Sequence, residues 1–258
     1  MNLEERIAVC FSGQLRTGLE TAPFLKRFFG DLLPKMDFFI HTWDTDTSLV
    51  WDPKTGMFPE PDLVEHLPIE ADKFIKIKEI YNPIKMVVDN INVYELSYHQ
   101  RVIDRSGLPP VLHTGMFQSL YESNSYKTEY EIENSSEYGL VIRIRFDIFF
   151  DPGHTLQEEL EYLNVVPNRL YVSDFMAKLP RSVEDICWIA KSSTINTVCD
   201  FSLERETRSD MTVIDWQDHL RYYLYKHDIF PVKWKNNNLY IYRTANGAFS
   251  PFDTKDLK

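Results

Sequence analysis

The chain has 258 residues, 43% of them hydrophobic and 26% charged, so a wholly disordered or fibrous protein is excluded. With 28 Lys and Arg against 39 Asp and Glu the formal net charge is −11, and a polyanion would be repelled over most of such a surface, which argues against nucleic acid as a partner. No apolar run reaches the roughly 18–20 residues of a membrane helix, and Met1-Asn2-Leu3-Glu4-Glu5-Arg6 lacks the layout of a signal peptide. A cytoplasmic protein without a transmembrane segment is expected.

Arg6 to Phe11 is a short apolar, β-prone run halted by Ser12-Gly13, a buried strand entering a tight turn. Thr21 is then expected to cap a helix whose Phe24, Leu25, Phe28, Phe29, Leu32 and Leu33 form an apolar stripe ending at Pro34. Met36 to His41 is the next strand, and strand, helix, strand with short links opens a parallel α/β sheet. Thr42 to Pro68 is acidic and Pro-rich, with Asp44, Asp46, Asp52, Pro53, Pro59 and Pro61, and reads as a loop over the sheet edge. A helix over Ala71 to Ile80 and a strand over Lys85 to Val88 follow. A longer helix starts near Met116 and runs to about Asn134.

Leu140 to Phe150 alternates with period two: Leu140, Ile142, Ile144, Phe146, Ile148 and Phe150 share one face, Arg143, Arg145 and Asp147 the other. Ionised groups inside a parallel sheet cost several kcal/mol unless paired or near water. The strand therefore either lies at an edge, with Arg145 and Asp147 as an ordinary pair, or ends at a crevice where these groups meet an anionic ligand. Beyond it, Arg169 to Ser173, Cys187 to Ala190 and Leu239 to Arg243 read as strands. Helices open at Ser192 or Ser193 and at Asp215.

Several common sites are missing from the sequence. The glycines form neither G-x-G-x-x-G nor G-x-x-x-x-G-K, and G-x-S-x-G and H-E-x-x-H do not occur. Cys10, Cys187 and Cys199 are far apart and unsuited to a zinc ribbon or a disulfide framework, so buried reduced thiols are expected.

Ile7 to Thr17 (IAVCFSGQLRT), Phe38 to Asp44 (FFIHTWD), the polar helix from Met116 and LVIRIRFDIFF together resemble glycosyltransferases of surface-polysaccharide and viral or phage gene sets, including the WavE-type lipopolysaccharide-synthesis proteins. The likeness covers residues up to about Phe150 and fades afterwards. It implies a single α/β domain over 1–258 of the GT-A (Rossmann-like) type, with a mostly parallel central sheet flanked by helices. Residues 1–150 would bind a nucleotide-sugar donor and 151–258 a glycan or other hydroxyl acceptor. In such folds an acidic motif at the end of a central strand holds a divalent metal and the sugar diphosphate. Here the usual Asp-x-Asp is represented by Arg145-Phe146-Asp147, with one carboxylate. Asp147 would hold Mg²⁺ or Mn²⁺ with help from phosphates and water, or Arg143 and Arg145 would neutralise the diphosphate without metal.

Ser12, Gln14 and Arg16 follow the first strand and offer hydrogen bonds and charge to a nucleotide, with Gly13 allowing close backbone approach. Asp44 is expected to accept from a ribose or base and Trp43 to wall the pocket; His41 and Asp44 lack a third ligand for a metal of their own. The resemblance makes Asp215 the first choice, and Asp185 the second, for a base that deprotonates the acceptor in an inverting reaction. Asp215 and Asp218 also suit plain helix capping. The late aromatics Tyr222, Tyr223, Tyr225, Trp234, Tyr240 and Tyr242 fit core packing better than sugar stacking. A non-catalytic nucleotide- or glycan-binding module of the same fold is the alternative. A nucleotidyltransferase is disfavoured because a glycine-rich, lysine-bearing first loop is missing.

Overall fold

A computed structural model of the chain describes residues 6–47, 66–93, 114–150, 152–173, 183, 186–207, 216–234 and 239–241. Its strands are β1 (Ile7–Ser12), β2 (Met36–Trp43), β3 (Thr45–Thr47), β4 (His66–Pro68), β5 (Lys85–Asp89), β6 (Leu140–Ile144), β7 (Ile148–Phe150), β8 (Arg169–Ser173), β9 (Cys187–Ala190), β10 (Phe230–Trp234) and β11 (Leu239–Ile241). The helices are α1 (Gly18–Phe29), α2 (Ala71–Tyr81), α3 (Thr114–Glu133), α4 (Leu156–Tyr162), α5 (Ser192–Thr207) and α6 (Trp216–Lys226). A 3-10 helix, Gly30–Lys35, follows α1.

Seven strands form one sheet in the order β10-β8-β9-β6-β1-β2-β5. Every neighbouring pair is parallel except those made by β9, which runs against both β6 and β8. A mostly parallel sheet needs cover on both faces, and the alternation of β1 supplies it. Ile7, Val9 and Phe11 enter a core that also takes Leu25, Phe28 and Phe29 of α1 and Ile77 and Tyr81 of α2. Ala8 and Cys10 enter a second core with Phe117 and Leu120 of α3, Ile195, Val198 and Cys199 of α5, and Leu220, Tyr223 and Leu224 of α6. Each buried Leu, Ile or Phe contributes about 1.5–3 kcal/mol, so β1 is held from both sides. Its carboxyl end is accordingly a fixed platform.

The chain passes from β1 outward to β2 and β5, then returns to place β6 on the other side of β1. The reversal sets the carboxyl ends of β1 and β6 side by side at a switch in strand order, the position at which open α/β sheets bind ligands.

Several elements depart from the sequence expectation. The segment expected as one strand from Leu140 to Phe150 is two: β6 stops at Ile144, Phe146 and Asp147 lie in a turn, and β7 pairs antiparallel with β11 instead of joining the main sheet. Its apolar face nevertheless stays continuous, since Leu140, Ile142, Ile144, Phe146, Ile148 and Phe150 all lie in the first core. Helix α1 begins at Gly18, before the expected cap Thr21, and Pro23 is accommodated inside it. Part of the acidic segment expected as loop is ordered, because β3 pairs antiparallel with β4. Strand β10 and helix α4 were not anticipated; Thr155 and Glu158 form a reciprocal capping box at the start of α4, a spacing readable from sequence.

Among the described residues no helix is long and apolar enough to cross a membrane. Cys10, Cys187 and Cys199 are free and buried, and burial pushes the Cys10 and Cys187 thiols up to about 12.

Candidate functional site

Four side chains expected at the site, Gln14, Arg16, Arg145 and Asp147, meet beyond the carboxyl ends of β1 and β6. Arg145 grips Asp147 with both sides of its guanidinium, Nε donating to Oδ1 at 2.9 Å and Nη2 to Oδ2 at 2.6 Å. Arg16, arriving from the loop after β1, donates from Nη1 to Asp147 Oδ2 at 2.8 Å and from Nε to Gln14 Oε1 at 3.2 Å. The Asp147 side chain is 1% exposed, whereas those of Arg16 and Arg145 are 20% and 15% exposed. The carboxylate is thus a buried anchor, and its two arginine partners are partly exposed. Bidentate, charge-assisted pairs of this kind fix geometry as well as energy.

Two features bring Arg16 to Asp147. Thr21 Oγ1 donates to the Phe146 carbonyl at 2.5 Å, tying α1 to the turn that carries Asp147. Gly18 lets the same helix approach closely: a Cβ there would lie 2.7 Å from Leu15 Cδ1 and 3.1 Å from Phe146 Cβ. Arg16 itself has φ 45°, the left-handed region that costs a non-glycine residue roughly 1–2 kcal/mol. The Asp46 carboxylate supports that conformation by accepting the Arg16 backbone N–H at 2.8 Å. Burial pushes the Asp46 carboxyl above its ordinary value, with Asp147 nearby adding in the same sense and Arg16 opposing. Asp46 joins the candidate site through this bond alone, and nothing in the local sequence pattern distinguishes it from Asp44 or Asp52.

Ser12 and Arg143 lie behind this cluster. Arg143 is 1% exposed; its Nε donates to the buried Ser12 Oγ at 2.8 Å and its guanidinium carbon sits 5.1 Å from the Trp188 ring centre. The three charges expected along one strand face are therefore divided: Arg143 faces the second core, while Arg145 and Asp147 lie past the strand end.

Asp44 serves the neighbouring loop. It accepts from Asn90 Nδ2 at 2.7 Å and from the Ile91 N–H at 3.4 Å, and its own N–H donates to the Asp89 carbonyl at 2.8 Å. Trp43 is buried, packed edge-on to His41. His41 Nδ1 lies 2.8 Å from Ser119 Oγ and Nε2 lies 3.1 Å from Asp89 Oδ2; burial holds the imidazole below its ordinary pKa despite the Asp89 contact. Ser119 Oγ also accepts the Gly13 N–H at 2.6 Å, so α3 pins the first turn of the site loop, where Gly13 has φ 107°. Tyr223 and Trp234 are core residues, whereas Tyr222 and Tyr225 are exposed. Asp185, Asp215 and Tyr242 lie outside the described residues, as does the side chain of Tyr240.

A divalent cation on Asp147 would have to displace existing partners. Hard cations take several oxygen ligands, yet both Asp147 oxygens are already bonded by guanidiniums, and among the described residues no three His, Cys, Asp or Glu side chains gather to hold a metal. The cation would also sit beside two positive groups, and like unit charges about 4 Å apart near a protein surface repel by roughly 4 kcal/mol. Among the described residues, both oxygens of Asp147 are committed to guanidiniums and the neighbouring groups are not a hard-cation donor set.

No protein-family model and no curated protein matches the sequence. Among solved structures, the chain is similar to the apo form of the glycosyltransferase GlyE of Streptococcus pneumoniae TIGR4, at 10% identity over 88% of this chain and 45% of that one, with a TM-score of 0.44. It is also similar to a glycosyltransferase involved in the glycosylation of the major capsid of PBCV-1, at 8% identity over 88% of this chain and 81% of that one, with a TM-score of 0.42. The chain spans less than half the length of the GlyE chain.

Proposed function

We propose that the chain is a nucleotide-sugar-dependent glycosyltransferase that moves a sugar from a nucleoside-diphosphate donor to a hydroxyl acceptor in glycan or surface-polysaccharide synthesis. One observation carries this reading: Arg16 and Arg145 converge on Asp147 beyond the ends of β1 and β6, where the sheet reverses direction. In a protein of net charge −11, an arginine cluster at these strand ends is matched to an anionic ligand.

The chemistry follows from what such transfer requires. The acceptor hydroxyl attacks the anomeric carbon, the bond to the diphosphate breaks, and negative charge builds on the departing phosphate oxygens. Guanidiniums already held in place stabilise that charge without reorganising, an effect worth about 10²–10³ in rate for a single donor. Gln14 orients Arg16, and Ser12 with Arg143 supports the loop from behind. The acceptor proton goes to a carboxylate, Asp215 by preference and Asp185 as the second choice, for which a positioned base is worth about 10²–10⁴.

The replacement of one acidic residue by Arg145 favours a second reading, a module of the same fold that binds a nucleotide or glycan without turnover. A panel of sugar nucleotides separates the two. Release of nucleoside diphosphate from one of them, lowered about 10²-fold or more by Arg145→Ala, supports the transferase. Binding without release supports the module, and neither binding nor release contradicts both.

A further inference from the structure

We propose that the site binds its diphosphate without a divalent cation: Asp147 serves as the shared anchor that aims the Arg16 and Arg145 guanidiniums at the anion. The inference rests on the reading of the arginine cluster as a diphosphate site and specifies what neutralises the ligand there.

The geometry assigns Asp147 to the arginines. Three bonds to its two oxygens, at 2.6, 2.8 and 2.9 Å, come from guanidiniums, and the carboxylate is almost wholly enclosed while its partners are partly exposed. A metal ligand needs at least one carboxylate oxygen left for the cation, whereas both oxygens here already accept from guanidiniums. A second device serves the same end on the other side. Asp46 fixes the backbone of Arg16 in a left-handed conformation, so the direction of that side chain is set from both its backbone and its tip. Arg16 and Arg145 share the single carboxylate of Asp147, so two guanidiniums meet one buried anion at the strand ends. Guanidinium suits this duty because its planar fork matches phosphate oxygens and its charge persists at every working pH.

The test measures binding of inorganic pyrophosphate to the full chain by titration calorimetry, in EDTA and in Mn²⁺, alongside donor turnover under the same conditions. The expected result is binding in EDTA with affinity within about twofold of that in Mn²⁺. It should weaken steeply with added salt and weaken roughly tenfold or more in Arg16→Gln and in Arg145→Gln. Affinity that appears only with Mn²⁺, affinity in EDTA that ignores both arginine variants, or no pyrophosphate binding in either condition overturns the proposal. The wild-type comparison of EDTA with Mn²⁺ decides the matter even if a variant fails to fold. Turnover that requires Mn²⁺ leaves the transferase standing and removes this inference. Pyrophosphate bound in EDTA with no donor turned over does the reverse.

Discussion

The Asp46 carboxylate accepts the backbone N–H of Arg16 across 30 positions of sequence, at 2.8 Å, and thereby holds an arginine in a conformation that only glycine adopts freely. Removing that acceptor should release the Arg16 backbone and scatter its guanidinium. Asp46→Ala is expected to weaken nucleoside-diphosphate binding by about tenfold, the worth of one hydrogen bond to a charged group. Asp46→Asn keeps an acceptor oxygen and should stay within about threefold. Calorimetry on the three proteins checks this, and equal loss in both variants would mean that the charge of Asp46, not its hydrogen bond, matters.

Gly18 marks where α1 closes on the turn bearing Asp147. Alanine normally favours a helix over glycine by about 1 kcal/mol, but its Cβ would press on the fixed Phe146 Cβ as well as on Leu15. Gly18→Ala is therefore expected to destabilise by about 1–3 kcal/mol and to lower donor turnover, because the Arg16 loop must shift. Urea unfolding together with the turnover assay reads both effects; a more stable, fully active variant would show that the approach is not tight.

Lys127 is a fully buried cation whose Nζ donates to Glu131 at 2.7 Å, to Asn196 at 2.9 Å and to Ser192, joining α3 to α5. Glu131 accepts in turn from Ser192 Oγ and from the Tyr138 N–H. Removing one partner of a buried pair strands the other charge, so Lys127→Met should cost about 3–5 kcal/mol. Adding Glu131→Gln, which removes the stranded charge but keeps an acceptor, should recover a large part of it. A double-mutant cycle in urea gives the coupling.

His41 makes stability depend on pH. Its imidazole is held below the ordinary value of 6.5 chiefly by burial, with Asp89 and Glu122 opposing. Well above pH 6.5 the ring is neutral in both folded and unfolded chains and contributes no slope. As pH falls from there toward the folded pKa, the unfolded chain takes up a proton that the folded one refuses, and stability declines. The melting temperature should drop over that interval, and His41→Gln should flatten the drop. A slope unchanged in the variant would assign it to other groups.

Much of this arrangement is legible in sequence because it depends on side-chain periodicity. The face made by Leu140, Ile142, Ile144, Phe146, Ile148 and Phe150 persists through a strand, a turn and a second strand, since the same core receives all six. Periodicity does not say where a strand ends, so it could not separate the buried Arg143 from Arg145, whose N–H already donates to the Ile186 carbonyl beyond β6. Asp46 was hidden for a different reason, since its partner is a backbone N–H from a distant loop, a group that every residue but proline carries. Strand β10 was masked by Pro231, which removes a donor and is tolerated on a strand whose partner in the main sheet is β8 alone among the described residues.

The most direct measurement is a crystal structure of the chain with a nucleoside diphosphate bound. It should place phosphate oxygens within hydrogen-bond reach of both Arg16 and Arg145, with Asp147 still bonded to the two guanidiniums. A diphosphate seated elsewhere, with the Arg16–Asp147–Arg145 cluster untouched, would contradict the account.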